Sequence, residues 1–374
     1  MAVIGAGIAG IGVALELAGR GVSVELHERT DRVHGRASLA NEGKVHLGYI
    51  YANDPSLRTA RQMVEGAWTF SPILRDWLER DLGEAALSTS FHYLAHRVSL
   101  LARDALDVMY RRIADLNREM SSQAGTGYFG RDAARPPRRL SGAEREGRFG
   151  PDVQAAWETP ELAVDTEVIG EALRDRVAAE PRIRLDLGSD VISASPQDGG
   201  VSLTTRVDGA TETRRYDRVV NASWEDLLRI DATAGLPVPE GASFRLRRIL
   251  RVQAPHGAAG VGSCSVVLGA FGDLVEYQGG CRARPTCRPR SRAVATRAYG
   301  LHDELDIGSA RARCRPQDHV RHRRALGQSG DVGEQVVRER HPGRRRARPQ
   351  GPVDLVGHVP DLDGMTHRLT IHTA

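Results

Sequence analysis

Lysine is almost missing from this chain of 374 residues: Lys44 stands alone beside 51 arginines. That ratio points to the codon bias of a GC-rich genome more than to a surface built on lysine charge. Only four cysteines occur (Cys264, Cys281, Cys287, Cys314), with no C-x-x-C pair and no matching histidine spacing. A zinc site and a disulfide framework are therefore not expected, no metal is assigned, and the setting expected is reducing and cytoplasmic. The longest apolar run, Met1 to Leu15, is broken by patterned glycines and falls short of the ~18 residues of a membrane span. It also lacks a basic leader, so neither a membrane partner nor a targeting signal is expected.

The 40% of hydrophobic residues can still supply a sizeable core for two domains or one elaborate α/β unit. The net charge of +4 conceals an imbalance, because residues 281–350 carry 18 Arg against 7 Asp and Glu while the remaining residues sum to a negative charge.

Ala2–Ile4 is a short apolar run of the kind buried in a parallel sheet. Gly5-x-Gly7-x-x-Gly10 follows, then a helical pattern from Ile8 to Leu17 that stops at Gly19-Arg20-Gly21. Val22–His27 reads as a second strand ending at Glu28. Each glycine has a physical reason: a tight turn at Gly5, close backbone approach to a diphosphate at Gly7, and close packing of helix on strand at Gly10. The candidate phosphate-binding turn is thus Gly5, Ala6, Gly7, Ile8, Ala9 and Gly10, where free N–H groups and the helix dipole favour an anion. Glu28, with Arg29 beside it, is placed to accept from ribose hydroxyls. FAD and nicotinamide cofactors share that ADP half, so the turn alone does not choose between them.

Residues 28–53, ERTDRVHGRASLANEGKVHLGYIYAN, resemble the FAD-dependent oxidoreductases of the D-amino-acid-oxidase and glycine-oxidase (DAO) type. The resemblance rests on Arg36-Ala37-Ser38-Leu39-Ala40-Asn41-Glu42-Gly43, which is similar to the family's small-residue loop after the ribose-binding acid. It implies that Arg36, Ala37 and Ser38 lie nearest the phosphates of FAD and that Lys44 to His46 lead toward the isoalloxazine ring. His46, Tyr49 and Tyr51 are then candidates for the wall facing the flavin. Arg32-Val33-His34-Gly35-Arg36 also resembles the pattern of amine-oxidase and desaturase flavoproteins, with His34 in place of the first glycine.

Farther along, Leu57–Leu82 has helical spacing, with Pro72 expected to kink or split it. Phe91–Ala95 reads as a strand, Ala105–Met120 as a second helix, and Arg131–Arg139 as a surface loop. Asp165 is expected to cap a helix running through Ile169, Leu173 and Val177. Strands then follow at Ile183–Leu187, Val191–Ala194, Val201–Val207 and Arg218–Asn221, with turns at Gly199-Gly200 and Asp208-Gly209. The resemblance implies further FAD contacts at Val191 and at the Asn221-Ala222 turn. Phe244–Gln253 and Ser265–Tyr277 alternate like strands of a substrate sheet, where Arg97, Arg245 and Arg247 are candidates to hold a carboxylate.

The expected fold is α/β: a Rossmann-like FAD-binding domain (1–85 and 150–235), a β-sheet-rich substrate domain (86–149 and 236–280), and a poorly ordered Arg-rich C-terminal segment (281–374). Seventeen of the 18 aromatic residues precede residue 281. The segment after it has no sustained period and lacks the glycine-rich loop that the resemblance would place there, so a reading-frame shift near residue 280 or an eroded C-terminus competes with a basic tail. Without aromatic platforms or a reading module, a nucleic-acid partner is not expected. The function expected is FAD-dependent oxidation of an amine or amino-acid-like small molecule by hydride transfer to flavin N5. Alternatives are an amine-oxidase or desaturase-like flavoprotein and a vestigial dinucleotide-binding protein.

Overall fold

The computed structural model describes residues 1–124, 127–239, 242, 249–253, 262–268, 272–277, 292–297, 355–359 and 367–371. The elements in chain order are β1 (Ala2–Ile4), α1 (Ile8–Gly19), β2 (Val24–Glu28), β3 (Lys44–Val45), α2 (Arg58–Leu78), β4 (Phe91–His96), α3 (Arg103–Ala124), β5 (Arg138–Arg139), α4 (Gly142–Glu146), β6 (Val153–Glu158), β7 (Leu162–Ala163), α5 (Thr166–Ala179), β8 (Ile183–Leu187), β9 (Asp190–Gln197), β10 (Gly200–Val207), β11 (Ala210–Tyr216), β12 (Val219–Asn221), α6 (Leu227–Thr233), β13 (Ile249–Gln253), β14 (Ser263–Val266), β15 (Gly272–Tyr277), β16 (Arg292–Arg297), β17 (Leu355–Val359) and β18 (His367–Ile371).

Two sheets position the site. The first is parallel, ordered β12-β1-β2-β8, with Ile4 paired to both His27 and Asn221. β1 and most of β2 are buried, with Ala2 and Ile4 packed against Val191 and Ala194 of β9, Leu203 of β10 and Ile230 of α6, while the outer strands β12 and β8 are partly exposed. The second has seven strands in the order β13-β16-β15-β14-β4-β6-β5, antiparallel except where β14 runs parallel to β4. A three-stranded meander, β11-β10-β9, turns at Asp208-Gly209 as expected and at Asp198-Gly199, one residue before the Gly199-Gly200 turn read from the sequence, because Gly200 already pairs with Gln197. Chain contacts divide the molecule into Met1–Val238 with Leu246–Ala312, which holds all of these sheets, and Pro239–Arg245 with Arg313–Ala374, which holds the β17-β18 hairpin.

α1 packs on α2 through Gly12, where a Cβ would come within 2.2 Å of the Trp77 ring, and Trp77 Nε1 donates to Glu16 at 3.0 Å. That contact, with Leu74 and Leu78 buried, carries α2 unbroken through Pro72, so the expected split does not occur. The Asp165 carboxylate caps α5 by accepting from the Glu167 N–H at 2.9 Å, as its position predicts.

Four other expectations change. β11 was not anticipated; its alternating Thr, Glu and Arg residues are mostly exposed, and one hydrogen-bonded edge on β10 defines it. The single strand expected over Ser265–Tyr277 is instead two antiparallel partners, β14 ending at Val266 and β15 starting at Gly272. β6 lies within the stretch 150–235 expected to belong to the nucleotide part, yet it pairs with β4 of the seven-stranded sheet. Arg292–Arg297, in the segment read as irregular, is strand β16 between β13 and β15. Arg245, Arg247 and most of the basic segment lie outside the described residues.

Candidate functional site

The first turn is fixed by close contact. Gly5 has φ +91°, and a Cβ there would sit 2.7 Å from the Ala222 carbonyl oxygen. At Gly10 a Cβ would fall 1.8 Å from the Gly5 carbonyl oxygen, so no side chain fits where the helix meets the turn. The Ser38 hydroxyl accepts from the Ile8 N–H at 2.9 Å, drawing residues 36–41 alongside the amino end of α1. Asn41 braces that loop, donating to the carbonyls of Ala37 and Ser38 and accepting from the Gly43 N–H.

Glu28 ends β2 nearly buried. One carboxylate oxygen accepts from the Ala6 N–H at 2.9 Å; the other accepts from both the N–H and the hydroxyl of Thr30. Between these groups opens a cavity of about 390 Å³, walled by Gly5–Ala9, Glu28, Arg29, Arg36–Ser38, Val191 and Ala222, with Trp224–Asp226 at its side. The amino end of α1 with the turn before it, two guanidinium groups and a buried carboxylate therefore line one hollow. That donor and acceptor set fits the diphosphate and ribose of a dinucleotide, and the missing side chains at Gly5 and Gly10 let the turn close tightly on Ala222 and on itself beside it.

The arginines already have an internal partner. Arg29 donates to Asp226 at 2.6 Å, and the Glu225 carboxylate bridges Arg29 and Arg36. Burial and the neighbouring Arg29 charge lower the pKa of the Arg36 guanidinium. Trp224, 52% exposed, holds a left-handed φ of +59° beside them. On the far wall, His27 accepts or donates to Ser189 and Tyr216 at 3.2 and 3.0 Å, and burial lowers its pKa despite nearby Asp186. Glu25, His27 and Asp186 converge as a metal-ligand trio would, but Arg214 supplies the cation that faces both acids.

A second cavity of about 320 Å³ shares Ile8, Ser38 and Asn41 with the first and runs to Lys44, Val45 and His46, with Met63 and Phe70 of α2 opposite. His34 also lines it, at φ +56°, a backbone region that favours glycine. Its ring fills the space over Gly170, where a Cβ would lie 2.6 Å from Nδ1, and burial together with Arg174 pushes its pKa down to about 4.

Behind His46 lies a buried charge cluster. Lys44 Nζ, on a side chain 1% exposed, donates to Ser265 at 2.7 Å and Asp273 at 3.3 Å, lies 3.7 Å from Glu161, and sits over the Phe91 ring. Burial alone would lower the ammonium, but Asp273 and Glu161 raise it above its ordinary value. Both carboxylates are held below theirs: burial opposes this, but Lys44 outweighs it at Asp273, and His46 and Lys44 together do so at Glu161. Glu161 also accepts from Tyr93 Oη at 2.5 Å and from the Leu47 N–H at 2.7 Å.

The residues singled out from the sequence divide accordingly. The glycine turn, Glu28, Arg29, Arg36, Ala37, Ser38, Val191 and Ala222 meet at the first cavity, and His46 reaches the second. Tyr49 lines neither of these two cavities. It is wholly buried against Tyr93 and Tyr110, and burial raises its phenol far above the ordinary value. Tyr51 packs its ring edge against His46 at 5.8 Å. The Asn221 side chain turns to Leu227 and Asp231 and shapes the turn from within. Arg97 is exposed, pairs with Asp152 and lines neither cavity. Sequence reasoning missed Glu161, Asp273 and Glu225, which sit in different elements with no motif spacing among them.

A family model described as FAD dependent oxidoreductase (DAO) matches residues 1–296. Among solved structures, iminodiacetate oxidase from Chelativorans sp. is 22% identical with a TM-score of 0.53 and covers 98% of this chain and 88% of its own. Glycine oxidase from Geobacillus kaustophilus is 19% identical with a TM-score of 0.51, covering 82% of this chain and 74% of its own. L-proline dehydrogenase from P. horikoshii is 15% identical with a TM-score of 0.53, covering 82% and 73%. At these identities the likeness is one of fold. No curated protein matches the sequence.

Proposed function

This chain belongs to the DAO family of FAD-dependent oxidoreductases, and from that premise we propose that it oxidises an amine or amino-acid-like small molecule by hydride transfer to flavin N5. The observation that carries this reading is the pair of cavities sharing the Ser38 and Asn41 wall, one lined by the glycine turn and Glu28, the other ending at His46. Among the described residues no helix is long and apolar enough to cross a membrane.

In this reading the amino end of α1 takes the FAD diphosphate, joined by Ser38 and Arg36, while Glu28 accepts from the ribose and Val191 and Ala222 border the adenosine side. The carboxylate of Glu28 keeps lone pairs available beyond those used by Ala6 and Thr30. FAD, when bound, supplies the two-electron acceptor. The chain supplies the rest. The apolar wall of Met63 and Phe70 excludes water from the second cavity, the β3 segment sets where a substrate nitrogen can approach, and His46 offers a ring nitrogen there. We also propose that the parallel sheet β12-β1-β2-β8 and its helices form the FAD-binding part, with the seven-stranded sheet as the roof of the substrate space.

The test is direct. Protein purified with FAD is expected to be yellow and to bleach anaerobically on adding small primary or secondary amines or amino acids. Yellow protein that none of these bleaches would exclude the substrate class, and colourless protein that binds no FAD would support the vestigial alternative.

A further inference from the structure

Glu161 is a carboxylate with no exposure to solvent, placed on the short link between β6 and β7. It does more than neutralise Lys44. One oxygen accepts the backbone N–H of Leu47, and the other lies 3.5 Å from Nδ1 of His46. A single buried group thus anchors Leu47 and faces the otherwise unpartnered Nδ1 of its neighbour His46, on the segment that borders the second cavity.

His46 Nδ1 is itself buried, yet the side chain is 25% exposed and lines the cavity. The accessible edge of the ring is therefore the opposite one, which carries Nε2. A 3.5 Å contact is long for a hydrogen bond, and such contacts tighten when an active site fills. Glu161, ionised beside Lys44, only accepts, so the partner it favours at this position is an N–H.

We propose that Glu161 is a positioning residue: it takes the Nδ1–H of His46 and so keeps Nε2 unprotonated toward the cavity, ready to accept a proton from a substrate ammonium group. This rests on the amine reading above. In the step, one N–H bond of the substrate ammonium breaks, its electron pair stays on nitrogen, and the proton passes to Nε2 to give an imidazolium whose charge faces the Glu161 carboxylate. The neutral amine that remains is the form able to give up a hydride. The logic is that of any carboxylate that fixes a histidine tautomer. Tyr93 and Lys44 fix the carboxylate in turn.

The tautomer can be read without substrate. In the FAD-loaded protein labelled with ¹⁵N-histidine, with His46 assigned by its loss in His46→Gln, two-bond couplings are expected to report the Nδ1–H form. In Glu161→Gln only one acceptor oxygen remains for the Leu47 N–H on one side and the Tyr93 hydroxyl and His46 on the other, and the tyrosine hydroxyl can turn away. The Leu47 N–H cannot change and the imidazole can, so the Nε2–H form is expected to dominate. With it, kcat is expected to fall about 100-fold while KM changes little. Tyr93→Phe removes a competing donor but leaves the carboxylate, and is expected to keep the Nδ1–H form; it serves as the second arm should Glu161→Gln not fold. An Nε2–H His46 in the wild type, an unchanged tautomer in Glu161→Gln, or a switched one in Tyr93→Phe would each overturn the proposal. Holoenzyme that shows Nδ1–H His46 yet oxidises no amine would sink the amine reading and leave the Glu161 contact standing.

Discussion

The carboxylate of Glu28 and the backbone of Ala6 are tied together at 2.9 Å across the mouth of the first β-α-β turn. The acid that closes β2 therefore holds the glycine turn in place as well as facing the hollow. Glu28→Ala removes the acceptor for the Ala6 and Thr30 donors and the proposed ribose partner together. Hydrogen bonds to a charged group contribute about 1.5–3 kcal/mol, so FAD affinity is expected to fall by at least about 10-fold. Titration of flavin fluorescence measures it, and an unchanged Kd would remove Glu28 from the site.

Gly10→Ala places a methyl group 1.8 Å from the Gly5 carbonyl oxygen, in backbone that cannot swing aside as a side chain can. Overpacking of this kind costs about 1–3 kcal/mol. The variant is expected to melt at lower temperature and to lose FAD. Thermal denaturation followed by circular dichroism reads the first effect and absorbance after gel filtration the second.

Glu225 bridges the two guanidinium groups that would otherwise meet a diphosphate. Glu225→Gln frees donors of Arg29 and Arg36 and removes a negative charge beside the site. FAD is expected to bind several-fold more tightly, with the gain shrinking as salt is raised, since the groups are partly exposed. Weaker binding in this variant would mean that Glu225 closes over FAD and does not compete with it.

The Lys44 cluster has a definite pH signature. Glu161 and Asp273 lie below their ordinary values, so their contribution to stability is complete above about pH 4, where unfolded carboxyls titrate, and is lost as pH falls through the lower folded values. Lys44 is raised, so its contribution is complete below about pH 10.4 and is lost as pH rises through the higher folded value. Lys44→Met strands the two buried carboxylates and is expected to cost about 3–5 kcal/mol near neutral pH. Acidification from neutral pH toward about pH 5 should then stabilise the variant, by protonating the stranded acids, while the wild type keeps this contribution until the pH falls below about 4. Urea denaturation at a series of pH values distinguishes the two slopes.

What the sequence made legible was local. Gly5, Gly7, Gly10 and Glu28 lie within one β-α-β unit, and each answers to a backbone or hydrogen-bonding need that spacing alone expresses. The α5 cap at Asp165 and the turn at Asp208-Gly209 were legible for the same reason, while the β9-β10 turn falls one residue earlier than expected, at Asp198-Gly199. Tyr49 misled because its neighbours in sequence border a cavity while its own ring is drawn into an aromatic core with Tyr93 and Tyr110. The Lys44 cluster was hidden because Glu161 and Asp273 meet it only through sheet pairing: β3 runs beside β7, and β15 lies two strands from β4. β11 escaped because its strand is polar on both faces and carries no hydrophobic period.

The most direct test is a crystal structure of the protein grown with FAD. The account predicts the diphosphate within hydrogen-bonding distance of the backbone N–H groups of Gly7 and Ala9 and of the Ser38 hydroxyl, the ribose hydroxyls on Glu28, and the isoalloxazine ring beside His46. FAD bound elsewhere, or an amino end of α1 still closed off by the Arg29–Glu225–Arg36 bridge with no diphosphate against it, would contradict it.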